Sequence, residues 1–126
     1  MDAKKVIVCD DDRHILEVLK LIVEFSGAEV LVEDDSAKLF GRLNEDRPDL
    51  LIIDLWMPNL SGQEIISKIR MDDKMKNMYI LCLSASDDGE EVAMRAGANQ
   101  FLPKPFEMTD ILQIIENNCR NIRASA

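Results

Sequence analysis

The period of the apolar positions switches back and forth along this chain. Short runs rich in β-branched residues are each followed by a longer stretch whose apolar residues recur every three or four positions. Val6-Ile7-Val8-Cys9 predicts a first strand. Ile15, Leu19 and Ile22, with Val18 and Phe25 beside them, mark one face of a helix that Gly27 stops. Val30-Leu31-Val32 predicts a second strand, and a helix from about Ser36 to Asn44 follows, ending before Pro48. Leu50 to Ile53 is the third strand. Ser61-Gly62-Gln63-Glu64 has capping-box spacing and opens a helix with Ile65, Ile66 and Ile69 inward. Tyr79 to Leu83 is the fourth strand, and the helix from Glu90 to Ala96 stops at Gly97. Gln100 to Leu102 is a brief fifth strand. Thr109 is the expected cap of a last helix with Ile111, Ile115, Cys119 and Ile122 on one stripe.

Five strand–helix units in alternation predict an α/β fold, a parallel sheet covered by helices on both faces. Right-handed crossovers leave few ways to wind such a sheet. Pro103 cannot donate to a ladder, so the fifth strand belongs at an edge.

Composition narrows the function classes. The 126 residues suit one domain, 1–126, with its core from about 4 to 122, and the 47% apolar content can fill that core. A net charge of −9, with no basic segment, argues against nucleic-acid binding by this chain. It suits cationic or protein partners. No apolar stretch has membrane-spanning length. The N-terminal MDAKKVIVCDDD has no signal-peptide pattern, because acids arrive at once. Cys9, Cys82 and Cys119 sit in apolar patterns without metal-type spacing. They read as reduced, buried thiols of a cytoplasmic protein.

The polar exceptions carry the chemistry. Asp10 and Asp11 follow the first strand, Asp54 ends the third, Ser84 ends the fourth and Lys104 lies just past the fifth. In a parallel sheet these positions meet at one rim, where ligands bind at the reversal of winding. Three carboxylates so close repel one another unless one is protonated or a cation joins them. Hard oxygen donors with room for water suit Mg²⁺. A carboxylate can then serve as the nucleophile of a phosphoryl transfer, with Lys104 and the Ser84 hydroxyl on the phosphate oxygens. Other acids have plainer readings. Asp12 is the expected cap of the first helix, Asp34 and Asp35 read as turn and cap, and His14 reads as solvated. Asp72 to Lys76 reads as a solvated loop, with Met71, Met75 and Met78 around it packed or exposed by chance rather than forming a binding surface.

The stretches VIVCDDD, DLLIIDLWMPNLSG, ILCLSAS and AGANQFLPKPF, in this order and spacing, resemble the response-regulator receiver domain of two-component signalling, of the chemotaxis-regulator kind. The resemblance covers about Lys4 to Ile122. It implies a flavodoxin-like sheet of strand order 2-1-3-4-5 with five helices. It implies that Asp54 accepts a phosphoryl group from a histidine kinase or a histidine phosphotransfer protein. Asp11, Asp54 and the backbone carbonyl of Trp56 would ligate Mg²⁺, with Asp10 acting through a bound water. Ser84 and the Ala85 backbone N–H would bind the phosphoryl group, and Lys104 would pair with it. A cis Lys104–Pro105 bond is implied, and Phe101 stands where the family has its aromatic switch residue. The output would pass through the face of the fourth helix, fifth strand and fifth helix to a protein target, an output domain or a phosphorylation-dependent dimer. Such a protein is a switch that assists its own phosphorylation and dephosphorylation, not a conventional enzyme.

Three positions depart from the commonest family pattern. Ser84 stands in place of threonine and keeps the hydroxyl. Phe101 stands in place of tyrosine and offers no phenol O–H. Trp56 is bulky where small or polar residues are common, which implies an altered phosphate lifetime. The competing readings are a phosphate-independent scaffold of the same fold, and a Mg²⁺-dependent phosphohydrolase. The haloacid-dehalogenase kind needs an aspartate two residues after its nucleophile, where this chain has Trp56. A flavin site is disfavoured, because Asp10-Asp11-Asp12 would repel a phosphate.

Overall fold

The computed structural model describes residues 4–125, with side chains described for 4–118. Ten elements alternate: β1 (Lys5–Cys9), α1 (Arg13–Phe25), β2 (Glu29–Glu33), α2 (Ser36–Asp46), β3 (Leu50–Asp54), α3 (Gly62–Met71), β4 (Tyr79–Ser84), α4 (Gly89–Ala96), β5 (Gln100–Pro103) and α5 (Met108–Ser125). The strands form one parallel sheet in the order β2-β1-β3-β4-β5. This is the flavodoxin-like order. β5 is an edge, and Pro103 falls within it, paired in register with Ser84.

The sheet divides the core in two, and the division follows the two-residue period of each strand. Ile7, Cys9, Leu51, Ile53, Ile80 and Cys82 pack with residues of α2, α3 and α4. Val6, Val8, Leu50, Ile52, Leu81 and Leu83 pack with residues of α1 and α5. Central β3 is buried at every position, Asp54 included. Both of its faces are covered, so its sequence is a continuous apolar run rather than an alternation. Among the described residues no helix is long and apolar enough to cross a membrane.

Helix ends follow local chemistry. Asp12 caps α1 through the His14 and Ile15 amides, Asp35 caps α2 through Ala37, and Ser61 with Glu64 closes a full capping box on α3. Gly97 ends α4 with φ +119, a left-handed conformation that glycine adopts without a Cβ penalty. Three expectations needed correction. α5 begins at Met108, and the Ile111 amide bonds back to the Glu107 carbonyl. Thr109 therefore lies inside the first turn and is not the cap. On α1 the buried set is Leu16, Leu19, Ile22 and Val23, whereas Phe25 is 73% exposed. Ile15 and Val18 pack partly buried against the same core as Leu19 and Ile22, so Phe25 alone departs from the expected face. α2 runs two residues beyond Asn44, to Asp46, and Arg47 then takes a left-handed conformation before Pro48. Cys9 and Cys82 are buried free thiols. The side chains of Cys119 and Ile122 lie outside the described residues.

Candidate functional site

All the strands end at one rim, and their last residues build the site. Asp10 directly follows β1 and is only 1% exposed. Its Oδ1 accepts the Asp12 amide at 2.9 Å, which turns the chain sharply into α1. The next residue, Asp11, is exposed. Asp54 is the last residue of β3 and is 7% exposed. Asp10, Asp11 and Asp54 each offer a carboxylate oxygen within 4.8 Å of the others.

Lys104 enters from beyond β5. Its backbone N–H donates to the Ser84 carbonyl at 2.9 Å, which extends the β4–β5 ladder by one step. Its Nζ lies 2.7 Å from Asp54 Oδ1 and 2.9 Å from Asp10 Oδ2. The peptide bond to Pro105 is cis. One ammonium thus bridges two buried carboxylates, a strong charge-assisted arrangement. Burial lifts the Asp54 carboxyl above the ordinary carboxylate value; the Lys104 hydrogen bond opposes that, and the charges of Asp10 and Asp11 add to it. Burial pulls the Lys104 ammonium down, but its bonds to Asp54 and Asp10 outweigh burial and leave it raised.

The Mg²⁺ expectation can be tested on the donor set. Three hard oxygen donors converge, and a single ammonium leaves them with a net negative charge. That set fits a divalent cation with oxygen and water ligands. Among the described residues no softer donor intrudes. The nearest thiols are protonated, with Cys82 pushed up to about 12 mainly by burial and Cys9 raised further for the same reason.

Ser84 ends β4 and is 1% exposed, while Ala85 after it is exposed. Phe101 pairs in register with Cys82 and packs half-buried against the α2–α4 side of the core. Ser84 and the Phe101 ring meet over the start of α4. A Cβ built on Gly89 would lie 3.0 Å from Ser84 Oγ and 3.1 Å from Phe101 Cζ. The structure therefore brings Asp10, Asp11, Asp54, Ser84 and Lys104 to one rim, with Trp56 and Ala85 on its flanking loops and Phe101 one layer below.

Sequence reasoning missed four supporting residues. Gly62 opens α3 against the backbone of Asp54 and Leu55: a Cβ there would collide with the Asp54 carbonyl oxygen and sit 2.9 Å from Leu55 Cα. Ser36, buried at the start of α2, donates to the Pro58 carbonyl at 2.7 Å and accepts the Leu60 amide at 3.0 Å. It pins the β3–α3 loop that carries Trp56. Gly89 makes room for Ser84 and Phe101. Ser86 accepts the Trp56 indole N–H at 2.9 Å. None has a signature in spacing alone, because each acts through a neighbour distant in the chain or through the absence of a side chain.

Comparison with known proteins gives a consistent picture. The family profile described as "Response regulator receiver domain" matches residues 6–116. The chain is 36% identical over 110 residues to "Response regulator MprA" of Mycobacterium avium (strain 104), across 86% of this chain and 47% of that one. It thus spans about half the length of the curated relatives it matches. Among solved structures, a response regulator receiver domain protein from Clostridium thermocellum aligns with a TM-score of 0.85 and 29% identity over 98% of this chain and 99% of that one. Chemotaxis protein CheY4 of Vibrio cholerae aligns with a TM-score of 0.84 and 26% identity over 92% and 98%. The receiver domain of the sensor histidine kinase PA1611 of Pseudomonas aeruginosa PAO1, solved with a magnesium ion coordinated in its active-site cleft, shares the fold at 22% identity and a TM-score of 0.84 over 92% and 97%.

Proposed function

Because this chain belongs to the response regulator receiver domain family of two-component signal transduction, we propose that it is a switch set by phosphorylation of Asp54. The observation that carries this reading is the Lys104 ammonium bridging Asp54 Oδ1 and Asp10 Oδ2, with Asp11 beside them. One carboxylate oxygen of Asp54 attacks. A new O–P bond forms as the P–N bond of a phosphohistidine donor breaks, and the imidazole departs with its electron pair. Lys104 then balances the added negative charge. Ser84 and the Ala85 N–H receive phosphoryl oxygens.

Asp10, Asp11, Asp54 and the Trp56 carbonyl would hold Mg²⁺, which supplies charge neutralisation to a transfer between two anions. The magnesium-bearing Pseudomonas neighbour of the same fold supports that assignment. Hydrolysis of the aspartyl phosphate resets the switch, so the chain assists its own chemistry without turning over a separate substrate.

Signal leaves by population shift. Ser84 moves toward the phosphoryl group, the Phe101 ring follows into the space Ser84 leaves, and the α4–β5–α5 face changes. Glu90, Glu91 and Arg95 lie on that face, with both glutamates exposed. The donor is a histidine kinase or histidine phosphotransfer protein, and the receiver of the signal is a protein target, an output domain or a second copy. The two-sided core around one sheet supports reading 1–126 as one receiver domain.

The test is intact mass after incubation with acetyl phosphate and Mg²⁺. One phosphoryl adduct, not formed when EDTA replaces Mg²⁺ and absent from Asp54→Asn, is the expected result. An adduct that persists in Asp54→Asn would overturn the assignment. Partner binding and signalling unchanged by Asp54→Asn would favour the phosphate-independent scaffold.

A further inference from the structure

A second polar line runs beside the carboxylate cluster. The Trp56 indole N–H donates to Ser86 Oγ at 2.9 Å. Ser86 Oγ lies 2.9 Å from Ser84 Oγ, and the Ser86 backbone N–H donates to that same Ser84 oxygen at 3.1 Å. Ser84 is buried, Ser86 half-buried, and Trp56 is 48% exposed. A contact from a serine hydroxyl to the amide two residues on is an ordinary local turn. It does not account for Trp56, which arrives from a different loop and donates to the Ser86 hydroxyl that in turn meets Ser84. Nor does packing account for a half-exposed indole aimed at a serine.

The direction of the line matters. A hydroxyl has one proton and two acceptor sites. Ser84 Oγ spends at least one of them on the Ser86 amide and is further engaged by the Ser86 hydroxyl. Turning Ser84 toward Asp54 requires leaving both. Ser84 and the tip of the Phe101 ring both border Gly89, so a move of Ser84 changes the space next to the ring.

We propose that Ser86 and the Trp56 indole N–H are positioning residues that hold the Ser84 hydroxyl in its unphosphorylated place, so that Ser84 reaches a phosphoryl group only after this hydrogen-bonded line breaks. The inference rests on the reading of Asp54 as the phosphoryl acceptor. The protein's apparent affinity for a phosphoryl mimic is then lowered by the fraction of molecules in which Ser84 is free. One neutral hydrogen bond of ordinary net strength corresponds to a factor of about two to twelve. The line also makes Trp56, the only tryptophan of the chain, an internal reporter of Ser84.

The experiment titrates beryllofluoride into the full chain in saturating MgCl₂, read by calorimetry for every variant and by tryptophan emission where Trp56 is present. Ser86→Ala and Trp56→Phe each remove one link; Ser86→Thr keeps the hydroxyl. The expected result is tighter binding, by about two- to twelvefold, in Ser86→Ala and Trp56→Phe. The double variant should gain no more than Ser86→Ala alone, because the links lie in series. Ser86→Thr should behave as the parent. Emission should change on binding in the parent, and Ser86→Ala should lose most of that change. Thermal melting of each variant establishes that it is folded. Equal or weaker binding in folded Ser86→Ala and Trp56→Phe would overturn the inference while leaving Asp54 as acceptor. No Mg²⁺-dependent binding by the parent would overturn both.

Discussion

Removing the Lys104 ammonium tests the electrostatics of the rim most directly. In Lys104→Met the stem keeps its packing but Asp10 and Asp54, 1% and 7% exposed, lose their shared cation. At the observed 2.7 and 2.9 Å each pair has an attraction of about 6 kcal/mol at an effective dielectric constant near 20, before desolvation is subtracted. Measured losses on breaking buried pairs run about 3–5 kcal/mol. Asp11 leaves one side of the site open to water, so the lower end applies, about 3 kcal/mol. For a chain of this length that is a fall in Tm of roughly 12 °C.

The loss should depend on pH with a definite sign. Burial already raises the folded-state pKa of Asp54 above its unfolded value, and losing Lys104 raises it further. A raised carboxyl contributes stability that is fully present below the unfolded value and is lost as pH rises through the folded one. The deficit of Lys104→Met should therefore be largest at neutral pH and shrink as pH falls through the Asp54 titration. MgCl₂ should recover more of the Tm in the variant than in the parent, since a cation again faces the carboxylates. The assay is thermal unfolding by circular dichroism in EDTA across pH, repeated with MgCl₂. A Tm within about 2 °C of the parent in neutral EDTA, or a deficit independent of pH, would refute the reasoning.

Two further outcomes follow from the same geometry. Asp54→Asn removes a carboxylate whose ionised form the fold disfavours, so it should raise the neutral-pH Tm in EDTA; the gap should close as pH falls through the folded-state titration, and a neutral-pH Tm below the parent's would contradict this. Gly62→Ala places a Cβ against the Asp54 carbonyl and Leu55 Cα, backbone atoms that cannot yield cheaply. It should cost about 1–3 kcal/mol in urea unfolding and weaken Mg²⁺ binding, whereas an unchanged midpoint would mean that α3 can shift freely.

The candidate site was legible because its acids and lysine stand at strand ends. An apolar run that closes on Asp54, or a strand followed by Asp10-Asp11, is visible as a break in the pattern. Gly62, Ser36 and Ser86 break no pattern. Gly62 already had a reading as part of a capping box, and that reading is correct. The close approach of α3 to the Asp54 carbonyl is a second demand on the same residue, invisible until the helix is docked. Trp56 was conspicuous by its bulk. The polar end of its side chain became meaningful only once the β4–α4 loop was seen to place Ser86 opposite it.

Periodicity alone determined the ten elements, their order and the two faces of β3, because burial on both sides of a parallel sheet imposes a continuous apolar run. The chain's local chemistry also determined the caps of the first three helices, since capping is a contact between near neighbours. Tertiary structure decided what depends on distances between separate segments. The exposure of Phe25 at the end of α1, the start of α5 ahead of Thr109, the Lys104 bridge between two carboxylates and the Trp56–Ser86–Ser84 line are all of that kind. Local sequence sets which conformations are cheap; only the docked sheet and helices set which side chains then meet.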